Sequence, residues 1–182
     1  MTVGTLDLLP ALEHPELLAD PVFALLGTLP QTVATGVLVA AIDPGLADTA
    51  AFCERYGVGL DVSANCVIVA GRRGEVTRYA ACMVLATTRA DVNGVIRNLL
   101  DARKASFAPM DDAVALTAME YGGITPLGVP ADWPILVDSR IVLLPQIVIG
   151  SGLRRSKIVL PGSALAALVG AQVIEGLARE PQ

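Results

Sequence analysis

NCVIVAGRRGEVTRYAACMVLATT, residues 65–88, carries two apolar runs separated by a polar turn bounded by glycines. Residues 65–70 and 78–87 suit strands, and Gly71 and Gly74 permit the reversal between them, so the stretch reads as an antiparallel hairpin. Helical patterns follow and precede it. Residues 47–56 end at Gly57 and Gly59, residues 91–100 place Val92, Val95, Ile96 and Leu99 on one face, and residues 110–119 form a third helix. Strands mixed with helices, with no internal repeat, point to the α+β class: a mixed, curved sheet of about six or seven strands with surrounding helices. Further strands are expected at residues 37–42, 105–107, 135–137, 141–143, 147–149, 157–160 and 172–174, and a helix at 163–169. Residues 6–29 read as a helical lead-in.

A chain of 182 residues that is 53% hydrophobic fills one core. The expected organisation is an acidic helical N-terminal extension, residues 1–35, and one domain, residues 36–182. Residues 1–54 hold seven acids and no Lys or Arg, whereas residues 55–182 hold thirteen bases against eleven acids. Such an arm repels nucleic acid, and the near-balanced body is not the strongly basic domain that duplex binding uses. Bases gather as Arg72, Arg73 and Arg78, as Arg97, Arg103 and Lys104, and as Arg154, Arg155 and Lys157; each group is either a solvated face or a contact for one short single-stranded end. Cys53, Cys66 and Cys82 are odd in number, lack metal-ligand spacing and sit in apolar settings, which suits buried thiols in a reducing cytoplasm and gives no case for zinc. Residues 21–42 are uncharged, but Gly27, Pro30, Gln31, Thr32 and Thr35 interrupt them, so helix, turn and strand are expected rather than a membrane span. Asp7, Glu13 and Glu16, with no basic residue near them, do not fit a secretory signal.

YGGITPLG, residues 121–128, is the candidate site loop. Adjacent glycines adopt angles closed to other residues and the proline fixes the exit, so the loop either grips a small polar ligand through bared N–H groups or is a tight surface connection. The single histidine, His14, stands before Pro15 as a helix-start residue, and no Ser-His-Asp or Cys-His set is apparent.

GVGLDVSANCVIVAGRRG at 57–74, LDARKASFAP at 100–109, YGGITPLG at 121–128, ILVD at 135–138 and IGSGLRRSKIVL at 149–160 occur in the order and at about the spacing of the YbaK/EbsC family, which the chain resembles over residues 37–178. That family includes the editing insertion of bacterial prolyl-tRNA synthetases and its free-standing relatives. The resemblance implies a YbaK-like editing domain acting in the cytoplasm. It implies a deacylase that hydrolyses the ester of a mischarged tRNA carrying a small amino acid, such as Cys, Ala or Ser on tRNA(Pro), with no metal or organic cofactor. The implied partners are the single-stranded CCA end of an aminoacyl-tRNA and a synthetase. No synthetase catalytic motif or anticodon module is apparent, so editing is expected in trans. The family's GxxxP loop falls on Gly122, Gly123, Ile124, Thr125 and Pro126. An aminoacyl ester is already activated; the loop's N–H groups would hold the carbonyl oxygen as it becomes negative while a positioned water attacks.

Two departures from the family stand out. Asn65 takes the place of a lysine at the start of the first hairpin strand, and Lys157 takes the place of an aspartate in the later glycine-rich stretch. Either Lys157 supplies the missing cation, or it is a solvated edge residue and the protein is a binding module for an aminoacyl-adenosine-like ligand or a protein partner. The resemblance also puts Asp138, Ser151, Gly152 and Arg154 near the substrate, and Lys104 and Ser106 near phosphate or ribose. Asp138 is equally an acid closing a strand, and ARKASF equally an exposed turn. Trp133 either stacks on adenine or caps the core.

Overall fold

The computed structural model describes residues 3–181. Its strands are β1 (Leu9–Pro10), β2 (Leu38–Ala41), β3 (Ala64–Arg73), β4 (Val76–Leu85), β5 (Arg89–Ala90), β6 (Lys104–Phe107), β7 (Ile135–Asp138), β8 (Ile147–Gly150), β9 (Ser156–Leu160), β10 (Ala171–Ile174) and β11 (Ala178–Arg179). Helices are α1 (Asp20–Leu26), α2 (Gln31–Ala34), α3 (Thr49–Tyr56), α4 (Arg97–Leu99, extending a π-turn over Val92–Ile96), α5 (Met110–Thr117), α6 (Ser139–Val142) and α7 (Gly162–Ala166). The fold is α+β.

The hairpin forms as the apolar runs require. β3 and β4 pair antiparallel from Ala64↔Leu85 to Arg73↔Val76, and Gly74 turns the chain with φ +61°. They lie inside a five-stranded sheet in the order β10-β7-β4-β3-β6, in which β7 runs parallel to β4 and to β10. A second, antiparallel sheet has the order β1-β2-β9-β8, and β5 pairs with β11 as a separate ribbon. The sheet system is therefore mixed but larger than the six or seven strands expected. The excess includes the two-residue strands β1, β5 and β11, which periodicity does not reveal.

Burial explains the layering. Met83, Val137, Ile149 and Ile158 pack with Val22 and Leu26 of α1 between the two sheets; Val69, Cys82 and Leu136 meet Val92 and Ile96 on the outer face of the larger sheet; Phe52 of α3 covers Ala40, Val148 and Val159. Residues 6–29 are not one helix: a two-residue strand and two 3₁₀ turns precede α1, and Ala11, Leu18 and Val22 are buried in the same core as the sheets. Of residues 141–143, expected as a strand, Ile141 and Val142 belong instead to α6 and Leu143 is its C-cap. The Asp138 carboxylate accepts from the Arg140 N–H at 3.0 Å and starts a helical turn, which buries Ile141 and leaves Leu143 81% exposed. No helix among the described residues is long and apolar enough to cross a membrane.

Candidate functional site

The site follows from an incomplete sheet edge. β6 pairs only with Val69–Arg72, so the first half of β3 has no strand on that side. What it faces there is β8, joined through one bridge, Ser63 to Val148. From that bridge the two sheets part, and a cleft of about 510 Å³ occupies the gap, within the range of small-ligand sites. β3 and β8 form its walls. Asp48, Thr49 and Phe52 of the α3 entrance, Tyr121, Gly122 and Ile124 of the loop, Arg154 and Lys157 complete it.

The open edge bares main chain. Ile68 and Arg72 direct their carbonyls toward the β6 side, accepting from Ala108 and Arg103 at 2.8 and 2.9 Å. The two-residue period puts the N–H and C=O of Cys66 on the same side, where no strand pairs with them. The Cys66 thiol is held protonated: burial, helped by Cys82, raises its pKa well above the ordinary thiol value. It is no nucleophile in that state.

Lys157 is 7% exposed on β9 opposite Gly150. Its Nζ donates to the Ala47 carbonyl at 3.2 Å and lies 5.3 Å from the centre of the Phe52 ring, leaving further ammonium protons for a ligand. Burial, the largest influence, pushes its pKa down; Cys53 and Asp48 oppose this and Arg154 adds to it. Asn65 is half-buried, and its Oδ1 accepts from Thr49 Oγ1 at 2.6 Å, a bond that fixes the amide plane and leaves the NH₂ end without a protein partner among the described residues. Lys157 and Asn65 thus line one cleft.

The glycine loop is built by close approach. Gly122 has φ +87°, and a Cβ there would lie 2.7 Å from Arg154 Nη1; a Cβ on Gly123 would lie 2.5 Å from the Leu153 carbonyl group. Arg154 straps the loop, donating to the Tyr121 and Pro44 carbonyls at 2.9 and 3.2 Å, while the Glu120 carboxylate accepts from the Arg154 N–H at 2.6 Å. The Gly123 N–H is engaged with the Glu120 carbonyl at 2.9 Å, and the Gly123 carbonyl accepts from Gly152 at 2.7 Å. Among the described residues the N–H groups of Gly122 and Ile124 have no partner, so these, not Gly123, are the loop's available donors.

The remaining expected site residues fall outside the cleft wall. Thr125, whose Oγ1 is buried without a partner, and Pro126 pack behind the loop. Ser151 is buried against Ser156 Oγ at 2.7 Å, and Gly152 meets Ala19 and Met119; both brace the loop from behind. Asp138 is the clearest correction. It is fully buried, takes Arg140 Nε and Nη2 at 2.8 and 2.9 Å and the Ala178 N–H at 3.0 Å, and is committed to the fold. Burial raises its pKa, but the Arg140 contacts outweigh this and the net shift is downward. Trp133 stacks on Tyr79 within the core, with ring centres 5.1 Å apart. Lys104 and Ser106 lie on the exposed face of β6 beyond the cleft. His14 sits before a 3₁₀ turn with Nδ1 3.0 Å from Glu16 Oε1. No three His, Cys, Asp or Glu residues converge as a metal site among the described residues. Sequence reasoning missed Thr49, Phe52 and the Cys66 edge; no local motif marks them, because α3 meets β3 only through the tertiary fold.

Comparisons with solved structures match the fold. A crystal structure of a protein proposed to be a trans-editing enzyme for prolyl tRNA synthetase superposes with TM-score 0.71 at 20% identity, covering 90% of this chain and 99% of that one. A scaffold used in computational epitope backbone grafting gives 0.72 at 21% identity over 90% and 97%. A hypothetical protein of known structure gives 0.68 at 18% identity over 78% and 90%. No curated protein sequence matches the chain. The family described as the aminoacyl-tRNA editing domain matches residues 43–168, and the chain belongs to that family.

Proposed function

We propose that this protein acts in trans as an aminoacyl-tRNA deacylase, hydrolysing the ester of a small amino acid, such as Cys, Ala or Ser, from a mischarged tRNA(Pro). The observation that carries the reading is a buried cation, Lys157, in one cleft with the unengaged N–H groups of Gly122 and Ile124 and the Asn65 amide. These are donors suited to a carbonyl oxygen that becomes negative, and one such donor is typically worth about 3 kcal/mol in the transition state. Water adds to the ester carbon, the tetrahedral oxyanion collapses, and the ribose oxygen leaves and takes up a proton. The products are a free amino acid and a tRNA with its terminal hydroxyl restored. In this reading the Cys66 carbonyl, on the edge that β6 leaves uncovered, accepts from the substrate's α-ammonium. Phe107 and Tyr121, 58% and 57% exposed, line the same cleft and offer surfaces for the terminal adenine.

A panel of tRNA(Pro) charged with Ala, Cys and Ser tests the proposal, with wild type beside Lys157→Ala and Asn65→Lys. Turnover that falls by about 10²-fold or more in Lys157→Ala supports it. Turnover untouched by Lys157→Ala removes the lysine from the mechanism. No turnover of any substrate, with retained binding of a non-hydrolysable aminoacyl-adenosine, would make the protein a binding module instead.

A further inference from the structure

The hairpin end farthest from the cleft carries charge that the fold uses only in part. Arg72, Arg73, Arg78, Arg103 and Lys104 gather around β6 and the β3–β4 turn, with Glu75 and Asp101 as the nearby acids of these segments, in a chain of net charge −5. Asp101 is taken up by Arg73 and, at 3.4 Å, by Arg78. Arg72, Arg103 and Lys104 are exposed and have no carboxylate within ion-pair distance among the described residues. They are held together by main chain: Arg72 pairs in register with Lys104, and the Arg103 N–H donates to the Arg72 carbonyl at 2.9 Å.

Strand alternation connects this patch to the cleft. Directly paired residues project to the same face of a sheet, and the period along a strand is two. Arg72 and Lys104 therefore share a face with the Ala70↔Ser106 pair; Ala70 is buried, so the open row runs along the β6 strand, from Lys104 through the exposed Ser106 to Ala108, which lines the cleft. From Ala108 to Lys104 is four residues, about 13 Å at the usual rise. A stacked single strand covers that distance in about four nucleotides, at roughly 3.4 Å each.

We infer that this row is the track for the RNA strand leading to the esterified adenosine, with Arg72, Arg103 and Lys104 contacting phosphates on the 5′ side of the terminal nucleotide. The occupant is single-stranded or end-of-stem RNA: the cations are few, cluster at one end of β6 and belong to a molecule of net negative charge, which suits a short contact rather than a wrapped duplex. The inference rests on the deacylase reading for the position of the terminal nucleotide.

Two measurements on the same proteins separate the two ideas. The first is fluorescence anisotropy of an uncharged acceptor-stem minihelix ending in CCA, with wild type and the Arg72→Glu/Arg103→Glu double variant, across a salt series. The track predicts at least a tenfold weaker Kd at low salt and a log–log salt slope smaller by about one to two, since each lost phosphate contact is worth roughly 0.7 to 0.9. The second is hydrolysis of a 3′-aminoacyl-adenosine, which lacks phosphates, and there the double variant stays within twofold of wild type. A Kd moved less than twofold overturns the track, as does equal loss on the phosphate-free substrate. Failure of wild type to hydrolyse the aminoacyl-adenosine sinks the deacylase reading alone, because the minihelix measurement still decides whether the row binds RNA. Both residues are exposed, so thermal melting of the double variant close to wild type assures that the fold is intact.

Discussion

Gly150→Ala puts the architecture of the site to a steric test. Gly150 ends β8 on the cleft wall, directly beneath the glycine loop. A Cβ added there would lie 2.6 Å from the Ile124 carbonyl oxygen and 2.8 Å from the Gly123 carbonyl carbon, and closer still to the Gly123 oxygen. Ordinary contact begins at 3.4 Å, so the Ile124 carbonyl alone must retreat by about 0.8 Å. Neither obstacle is a flexible side chain. The Gly123 carbonyl is also the acceptor for the Gly152 N–H at 2.7 Å, so moving it loosens the second loop as well. A donor displaced by about 1 Å from its productive position costs on the order of 10²-fold in rate. Overpacking of this kind costs about 1–3 kcal/mol in stability. The expected result is a folded protein whose melting temperature falls by a few degrees and whose deacylation kcat/KM falls about 10²-fold. Gly27→Ala is the control, since its added carbon would meet only ordinary contacts at 3.6 and 3.7 Å. Gly150→Ala with wild-type turnover would refute the claim that the Gly122 and Ile124 donors act from fixed positions.

Three further outcomes follow from individual side chains. Lys157→Met is expected to lose about 10²-fold or more in turnover while becoming more stable at neutral pH, because the buried ammonium is disfavoured in the native state. Its folded pKa is lowered, so between that value and the ordinary 10.5 the unfolded chain binds a proton that the native chain does not; wild-type stability rises with pH across that window, and urea melts of Lys157→Met show no such rise. Thr125→Val removes a buried hydroxyl without a partner and is expected to stabilise by about 1 kcal/mol, read by denaturant melts; destabilisation by that amount would show that the hydroxyl is satisfied in solution. Asp138→Asn, which weakens contacts to Arg140 and Ala178, is expected to cost about 2–3 kcal/mol with the cleft chemistry intact. The depressed Asp138 pKa means that its stabilisation is present above the ordinary 3.8 and is lost as pH falls through the folded value, so acid unfolding should begin at higher pH in the variant.

Local chemistry made much of the fold legible. The β3–β4 hairpin, α3 ending at Gly57 with φ +64°, and strands β6 to β10 lie where apolar runs and glycine stops place them. Residues 141–143 show the limit: alternation there satisfies a strand and a short helix equally, and the carboxylate two residues before Arg140 decided for the helix. The same carboxylate shows why a site residue is harder to read than a strand. That Asp138 ends an apolar run is visible in the sequence, but that it meets an N–H forty positions later, at Ala178, is a property of the ribbon β5–β11 folding back over β7. Parallel pairing of β10 with β7 is likewise non-local and leaves no mark in either segment.

The cleft itself follows from one mismatch of lengths. β3 is ten residues long and β6 covers four of them, so an antiparallel pair that would have closed the sheet leaves an edge of main chain open against β8. Closing that edge with a longer β6 would satisfy the Cys66 backbone and abolish the pocket, which is why an uncovered edge, ordinarily a hazard, persists here. The loop from Tyr121 to Ile124 then needs glycines because it must pass within van der Waals distance of Leu153 and Gly150, and the cation needs burial because it rises from β9 under α3 rather than from the exposed rim. Charge at the site is set by a strand-facing choice. Lys157 shares a face with Val159 and alternates with Ile158, so a one-residue slip of β9 would carry the ammonium into the apolar core that holds Ile158, and the register of β9 against both β2 and β8 fixes where the positive charge stands.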